Sequence, residues 1–181
     1  MRLKEKYLKK ALPALKKEFS LRNDHEVPRL TKVVINVGFG RQHKEKELIA
    51  AIVEGLSKIS GQKPILTAAK ISVSAFKIRQ GMIIGAKVTL RGQRMYDFTD
   101  KLVNVAFPLV RDFRGLSEKS VDKSGNLTVG FKEQTNFPET RLGTNDHSYG
   151  LEVCLKTSTK SREQGLALFR QLGFPFKKES K

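Results

Sequence analysis

With 181 residues, 39% of them hydrophobic, the chain has apolar side chains enough for one ordinary domain with a core, and wholesale disorder is excluded. Its 35 Lys and Arg against 18 Asp and Glu leave a net charge of +17, a field that favours polyanions because each neutralised phosphate releases condensed counterions. No run of about 18 apolar residues offers a membrane span, and no signal-peptide pattern opens the chain. The single Cys154 can neither close an internal disulfide nor build a zinc site alone, which fits a reducing cytoplasm.

The first predicted element is a helix over residues 2–20. Leu3, Tyr7, Ala11, Leu15 and Phe19 recur every four residues along one face, and Pro13 is expected to kink or split it. A basic amphipathic helix can lie on a membrane, but this stripe is narrow and lacks Trp, so packing on the domain is the expected use. Residues 31–39, TKVVINVGF, alternate as a strand does, with Val33, Ile35 and Val37 on one side and Val34, Asn36 and Gly38 on the other. A helix over 44–60 carries Leu48, Ile49, Ile52, Val53, Leu56 and Ile59 along one side and ends at Gly61.

KPILT at 63–67 reads as a short strand. AKVTLRG at 86–92 is a longer one, with Ala86, Val88 and Leu90 facing in and Lys87, Thr89 and Arg91 facing out. The stretch between, 68–85, reads as a strand through Ile71, Val73 and Ala75, or as a loop through Gly81, Gly85 and its charge. Its apolar residues suit a segment that orders against a partner. A helix over 94–107 is expected to stop before Pro108. Strands from Gly125 to Phe131 and over 149–157 follow, then a helix over 161–172 closed by Gly173 with Pro175 beyond.

Strands with one apolar and one polar face specify an α+β fold: an antiparallel sheet with helices packed on one face. The expected layout is a single domain over 1–181 in a ferredoxin-like arrangement, as in RNA-recognition motifs. An N-terminal helix (2–20) and a long, flexible basic loop (about 68–85) complete it. The open sheet face carries basic and amide side chains, the layout of a sheet that docks RNA.

Charge distribution sharpens this. Between Glu54 and Asp97 there is no acidic residue, yet the stretch holds Lys58, Lys63, Lys70, Lys77, Arg79, Lys87, Arg91 and Arg94. Solvated surfaces normally mix signs, so this reads as an anion footprint. A second basic cluster opens the chain with Arg2, Lys4, Lys6, Lys9, Lys10, Lys16 and Lys17.

Catalytic chemistry is poorly supplied. Gly38 and Gly40 lack the third glycine and the acidic partner of a dinucleotide site, and no phosphate-binding GxxxxGK[ST] occurs. His25, His43 and His147 are scattered; Asp146-His147 reads as a polar loop, Asp97 and Asp100 as helix-solvating acids, and Cys154 as a small filler. An RNA-processing enzyme would need carboxylates or a metal cluster on the footprint, and residues 55–96 contain no carboxylate. No enzyme activity, metal or cofactor is expected. Aromatic platforms are also scarce, so contacts to phosphates, 2′-hydroxyls and groove shape should dominate over base stacking.

RLKEKYLKK at 2–10, VPRLTKVVINVGFG at 27–40, SGQKPILTAAK at 60–70, FKIRQGMIIGAKVTLRGQRMYDF at 76–98, VRDFRGLS at 110–117, GFKEQTNFPE at 130–139 and LGFPF at 172–176 together resemble the bacterial large-subunit ribosomal protein five family. The resemblance implies a curved antiparallel sheet backed by helices and a structural role in the cytoplasmic ribosome. It implies binding of 5S ribosomal RNA in the central protuberance and contact with 23S ribosomal RNA. Contacts with P-site transfer RNA and a small-subunit head protein are also implied. The free protein would be a monomer with no membrane partner. Carried over by position, Asn36, Gln62, Lys63, Thr67 and Thr89 match the family's RNA face, and the loop with Phe76, Lys77 and Arg79 matches its transfer-RNA contact. Lys63, Lys70 and Arg91 are expected to neutralise phosphates. The chain departs from the family pattern at Ala68, at Ser74-Ala75 and over 140–150.

Overall fold

The computed structural model describes residues 2–42, 45–140 and 148–177. Period-two alternation becomes real pleating in its long strands: β1 (Leu30–Gly38), β3 (Ile83–Leu90), β4 (Leu127–Phe131) and β5 (Leu151–Thr157), with the short β2 (Ile65–Ala68) beside them. Val33, Ile35 and Val37 are buried while Asn36 and Gly38 are exposed; Ala86, Val88 and Leu90 are buried while Lys87 is exposed. The strands form one antiparallel sheet in the order β2-β3-β1-β5-β4. Helix α3 (Lys46–Ser60) links β1 to β2, α4 (Gly92–Lys101) follows β3, and α5 (Arg162–Leu172) follows β5. With β4 set aside, β2-β3-β1-β5 is the split βαβ order of ferredoxin-like sheets, and β4 is an added edge.

Two prolines are handled by the same device. The N-terminal helix runs as α1 (Leu3–Lys6), a wide π turn (Tyr7–Ala11) and α2 (Leu12–Glu18), with the Leu12 N–H donating to Tyr7 O five residues back. After α4 a second π turn, Leu102–Ala106, lets the Phe107 N–H donate to Leu102 O. Pro13 and Pro108 each stand two residues past such a turn. A proline ring collides with the carbonyl four residues back and offers no donor, and widening that turn relieves both problems. The chain therefore does not stop before Pro108 but passes through it in a 3₁₀ turn, Phe107–Leu109. The π turn also explains the four-residue spacing of the N-terminal stripe. In a pure α-helix such a stripe drifts by about 40° per step; the wide turn swings it back, and Leu3, Tyr7, Ala11 and Leu15 are all buried.

The described chain divides into two compact units. The first comprises Met1–Val33, Leu90–Val129 and Cys154–Lys181, the second Val34–Thr89 and Gly130–Val153. In the first, Phe107 stacks on Phe113 at 5.3 Å with ring planes 11° apart, and Phe174 meets both Phe107 and Phe169 edge-on. There the VRDFRGLS and LGFPF segments pair directly, through a Leu116–Phe176 bridge and a 2.7 Å bond from the Leu116 N–H to Pro175 O. In the second unit α3 buries Leu48, Ile52, Leu56 and Ile59. A Cβ on Gly55 would fall 2.0 Å from the Tyr149 hydroxyl, so only glycine admits that ring; its burial pushes the phenol pKa up to about 12.

Candidate nucleic-acid interface

The interface residues of the second unit are positioned by three strands and one helix end. Helix α3 stops at Gly61, which takes the left-handed conformation (φ 66°) and returns its N–H to Ser57 O. Ser60 Oγ donates to Leu56 O and accepts from the Gln62 N–H, fixing the turn that presents Gln62 and the exposed Lys63. The Gln62 amide reaches Thr89 O in a long 3.5 Å contact, tying this turn to β3.

β2 and β3 pair with Ile65 opposite Lys87 and Thr67 opposite Gly85. Alternation then puts Ile65, Thr67, Gly85, Lys87 and Thr89 on one face, with Val34, Asn36 and Gly38 of β1 exposed or half-buried. Glycine at 85 lets β3 sit close to its neighbours: a Cβ there would lie 2.8 Å from Thr67 Oγ1 and 3.0 Å from Val37 O. The face thus offers an amide, two hydroxyls and an ammonium.

The stretch readable as strand or loop has both characters. Ala68 ends β2, Ile83–Gly85 begin β3, and Ala69–Met82 run out between them as two legs. Bonds from the Ala69 N–H to Met82 O (2.8 Å), the Gly81 N–H to Ala69 O (2.9 Å) and the Gln80 N–H to Ser72 Oγ (2.9 Å) tie the legs together. A Val73–Ile78 bridge closes the tip, where Ser74–Phe76 make a 3₁₀ turn and Lys77 takes φ 55°. Phe76 is 66% exposed and Ile71 75%, and Lys70, Lys77 and Arg79 are exposed beside them.

Among the described residues, none of Lys63, Lys70, Lys77, Arg79, Lys87, Arg91 and Arg94 makes an ion pair. The sequence around them offers no carboxylate between residues 55 and 96. Arg91 is the sequence-selected residue that does not join this group. The strand ends at Leu90, one turn of alternation early, and Arg91 is instead the N-cap of α4 in the other unit. Lys87 and Ile65 share the face yet lie outside the expected RNA set, although strand parity with Thr89 marks Lys87.

Residues considered for catalysis have structural uses. Asp97 accepts from Gln93 and Asp100 from Asn104 along one helix, and the half-buried Cys154 Sγ lies 3.6 Å from Thr128 Oγ1. Among the described residues no cluster of His, Cys, Asp and Glu could hold a metal, and no helix is long and apolar enough to cross a membrane. His43, Asp146, His147 and most of the 140–150 segment lie outside the described residues.

The chain is thus an α+β protein with a helix-backed antiparallel sheet and, among the described residues, a cationic stretch without ion pairs. Comparison with known families is specific. Residues 23–79 match the model of ribosomal protein L5, and residues 83–176 match the model of that ribosomal family's C-terminus. Large ribosomal subunit protein uL5 of Herpetosiphon aurantiacus is 51% identical over 176 residues, covering 97% of this chain and 98% of its own. The uL5 proteins of Fervidobacterium nodosum (51% over 177 residues, 98% and 96%) and Solibacter usitatus (48% over 176, 97% and 98%) are similarly close. The chain belongs to the ribosomal protein L5 family.

Proposed function

We propose that the chain is a structural, non-enzymatic component of the large ribosomal subunit in the cytoplasm, and that it binds 5S ribosomal RNA through the open face of its second unit. Asn36, Gln62, Thr67 and Thr89 supply amide and hydroxyl hydrogen bonds to sugar and base edges, while Lys63 and Lys70 neutralise phosphates. Arg91 adds a phosphate contact from the start of α4. The tip with Phe76, Lys77 and Arg79 approaches P-site transfer RNA, and the chain also meets a small-subunit head protein. Neighbouring 23S ribosomal RNA completes the partners of a chain that is monomeric when free and forms one domain with the tip as its mobile element.

One observation carries this reading: an acid-free stretch supplies cations free of carboxylate partners on the same face as the Asn36 amide and the threonine hydroxyls. The test is 5S ribosomal RNA binding across a salt series. Lys63→Ala should weaken binding and flatten the slope of log K against log salt by about one unit or less. Asn36→Ala should weaken binding with the slope unchanged, since an amide releases no counterion. Unchanged affinity for Lys63→Ala at every salt concentration removes Lys63 from the interface.

A further inference from the structure

We propose that the N-terminal helical segment, Leu3–Glu18, carries a second and separate binding surface for the phosphate backbone of duplex RNA, built by Arg2, Lys9, Lys10 and Lys17. It lies in the first unit, shares no residue with the sheet face and reads no bases, so it does not rest on the 5S assignment.

The segment's cations divide by use. Lys6 donates to Leu172 O at 2.9 Å, and Lys16 pairs with Asp24 at 2.5 Å; both hold the helix in place. Arg2, Lys4, Lys9, Lys10 and Lys17 are exposed, and none has an ion pair among the described residues; Lys4 stands beside the acidic Glu5, so the other four carry the surface. Arg2 and Lys9 are seven residues apart, as are Lys10 and Lys17, so each pair spans two turns, or about 10 Å, along the helix. Glu5 and Glu18 are the only acids between residues 2 and 18. α4, packed against α1, adds the exposed and unpaired Arg94 in its first turn. The scaffold is tied to the domain: the Tyr7 hydroxyl donates to Pro28 O at 3.1 Å, and Leu3, Tyr7, Ala11 and Leu15 of the apolar stripe are buried, so the helix backbone is already ordered when an anion docks.

The same facts choose the occupant. A helix that lies on a membrane inserts an apolar face, and here Leu3, Tyr7, Ala11 and Leu15 are already buried in the core. A protein partner needs apolar or aromatic anchors at the centre of its contact, and the segment's large exposed hydrophobic residue is Leu8 alone, 53% exposed. A phosphate backbone asks only for fixed, unpaired cations.

The test uses the full-length protein and a blunt, mixed-sequence RNA duplex of about 20 base pairs, which lacks the single-stranded features a sequence reader needs. Anisotropy titrations would run from about 50 to 300 mM salt. R2Q/K9Q/K10Q/K17Q should lose at least about tenfold in affinity near 0.1 M salt and about three units of salt slope. K119Q/K123Q/K156Q/K160Q removes the same charge from exposed positions elsewhere in the unit and should change affinity less than about threefold. K9R/K10R/K17R, which keeps the charge, should bind as the parent does. If the fourfold variant melts early, K10Q/K17Q replaces it, with about half the slope change expected. Equal losses from both glutamine sets would mean that net charge alone is being read and would overturn the proposal. So would a loss of the helix variant on mixed phosphatidylcholine–phosphatidylserine vesicles with duplex binding intact. Should Lys63→Ala leave 5S binding unchanged while the helix variant loses duplex binding, only the sheet assignment fails.

Discussion

The N-terminal helix of the first unit and the β2–β3 tip of the second are both rich in unpaired cations, but they dispose of their apolar side chains in opposite ways. On the helix Leu3, Tyr7, Ala11 and Leu15 are buried and Phe19 is half-buried, and the exposed side is mainly Lys and Arg with Leu8 as its one large exposed hydrophobic residue. On β2 and the tip, Ile65, Ile71 and Phe76 stand in water among Lys70, Lys77 and Arg79. Net charge does not separate these surfaces; the fate of the hydrophobic residues does. Cations over a finished core offer a partner charge and little apolar area, which suits an anionic backbone. Cations beside exposed apolar groups also offer contact area to a nucleobase, a sugar or a protein side chain, and leaving that area in water forgoes about 25 cal/mol per Å² until a partner covers it.

The sharpest way to break this contrast is one truncation on each side. Leu15→Ala empties a fully buried position and should cost about 2–5 kcal/mol in urea unfolding. Ile71→Ala, at a position 75% exposed, should cost less than about 0.5 kcal/mol yet weaken tip contacts on the ribosome. Comparable destabilisation by the two would mean that the tip is packed, and the contrast would fail. Gly85→Val comes next in size. Its Cβ would press on Thr67 Oγ1 at 2.8 Å and on Val37 O at 3.0 Å, so about 1–3 kcal/mol of stability should be lost together with 5S affinity. Full 5S affinity in a folded Gly85→Val protein would take the centre of β1–β3 out of the interface.

How far the sequence reveals these surfaces depends on whether a signal is local. Strand parity is local, so the inward set Ala86, Val88 and Leu90 and the outward Asn36 follow from alternation alone. Helix ends are local too: Gly61 and Gly173 both adopt the left-handed conformation that closes α3 and α5. Pro108 misleads because the rule that a helix stops before proline assumes an α turn, and here the hydrogen-bond partner moves from four residues back to five. Arg91 misleads because alternation does not say where a strand stops: its extended backbone (φ −138°, ψ 167°) continues the pattern while the residue caps a helix. The opposing Ile65–Lys87 pair and the bonds that join the two legs of the tip depend on register across a turn, which no single strand encodes.

The smallest expected effect tests whether the helix is docked as the contrast requires. Burial pushes the Tyr7 phenol up to about 12, and nearby Tyr96 adds to the shift. A tyrosine in the unfolded chain titrates near 10. Between those values the unfolded chain releases a proton that the folded protein keeps, so stability present in full below about pH 10 is lost as pH rises through about 12. Tyr7→Phe should therefore show a shallower fall in melting temperature over that window than the parent. At neutral pH it should lose only about 1 kcal/mol with the bond to Pro28 O. Tyr149→Phe, buried without the helix's involvement, should give its own shallower fall in the second unit and leave the Tyr7 contribution in place. An alkaline decline identical in Tyr7→Phe and the parent would place the phenol in water. The stripe would then be free for a membrane or a partner, and the cations of the N-terminal helix would lose the fixed scaffold that makes them a phosphate surface.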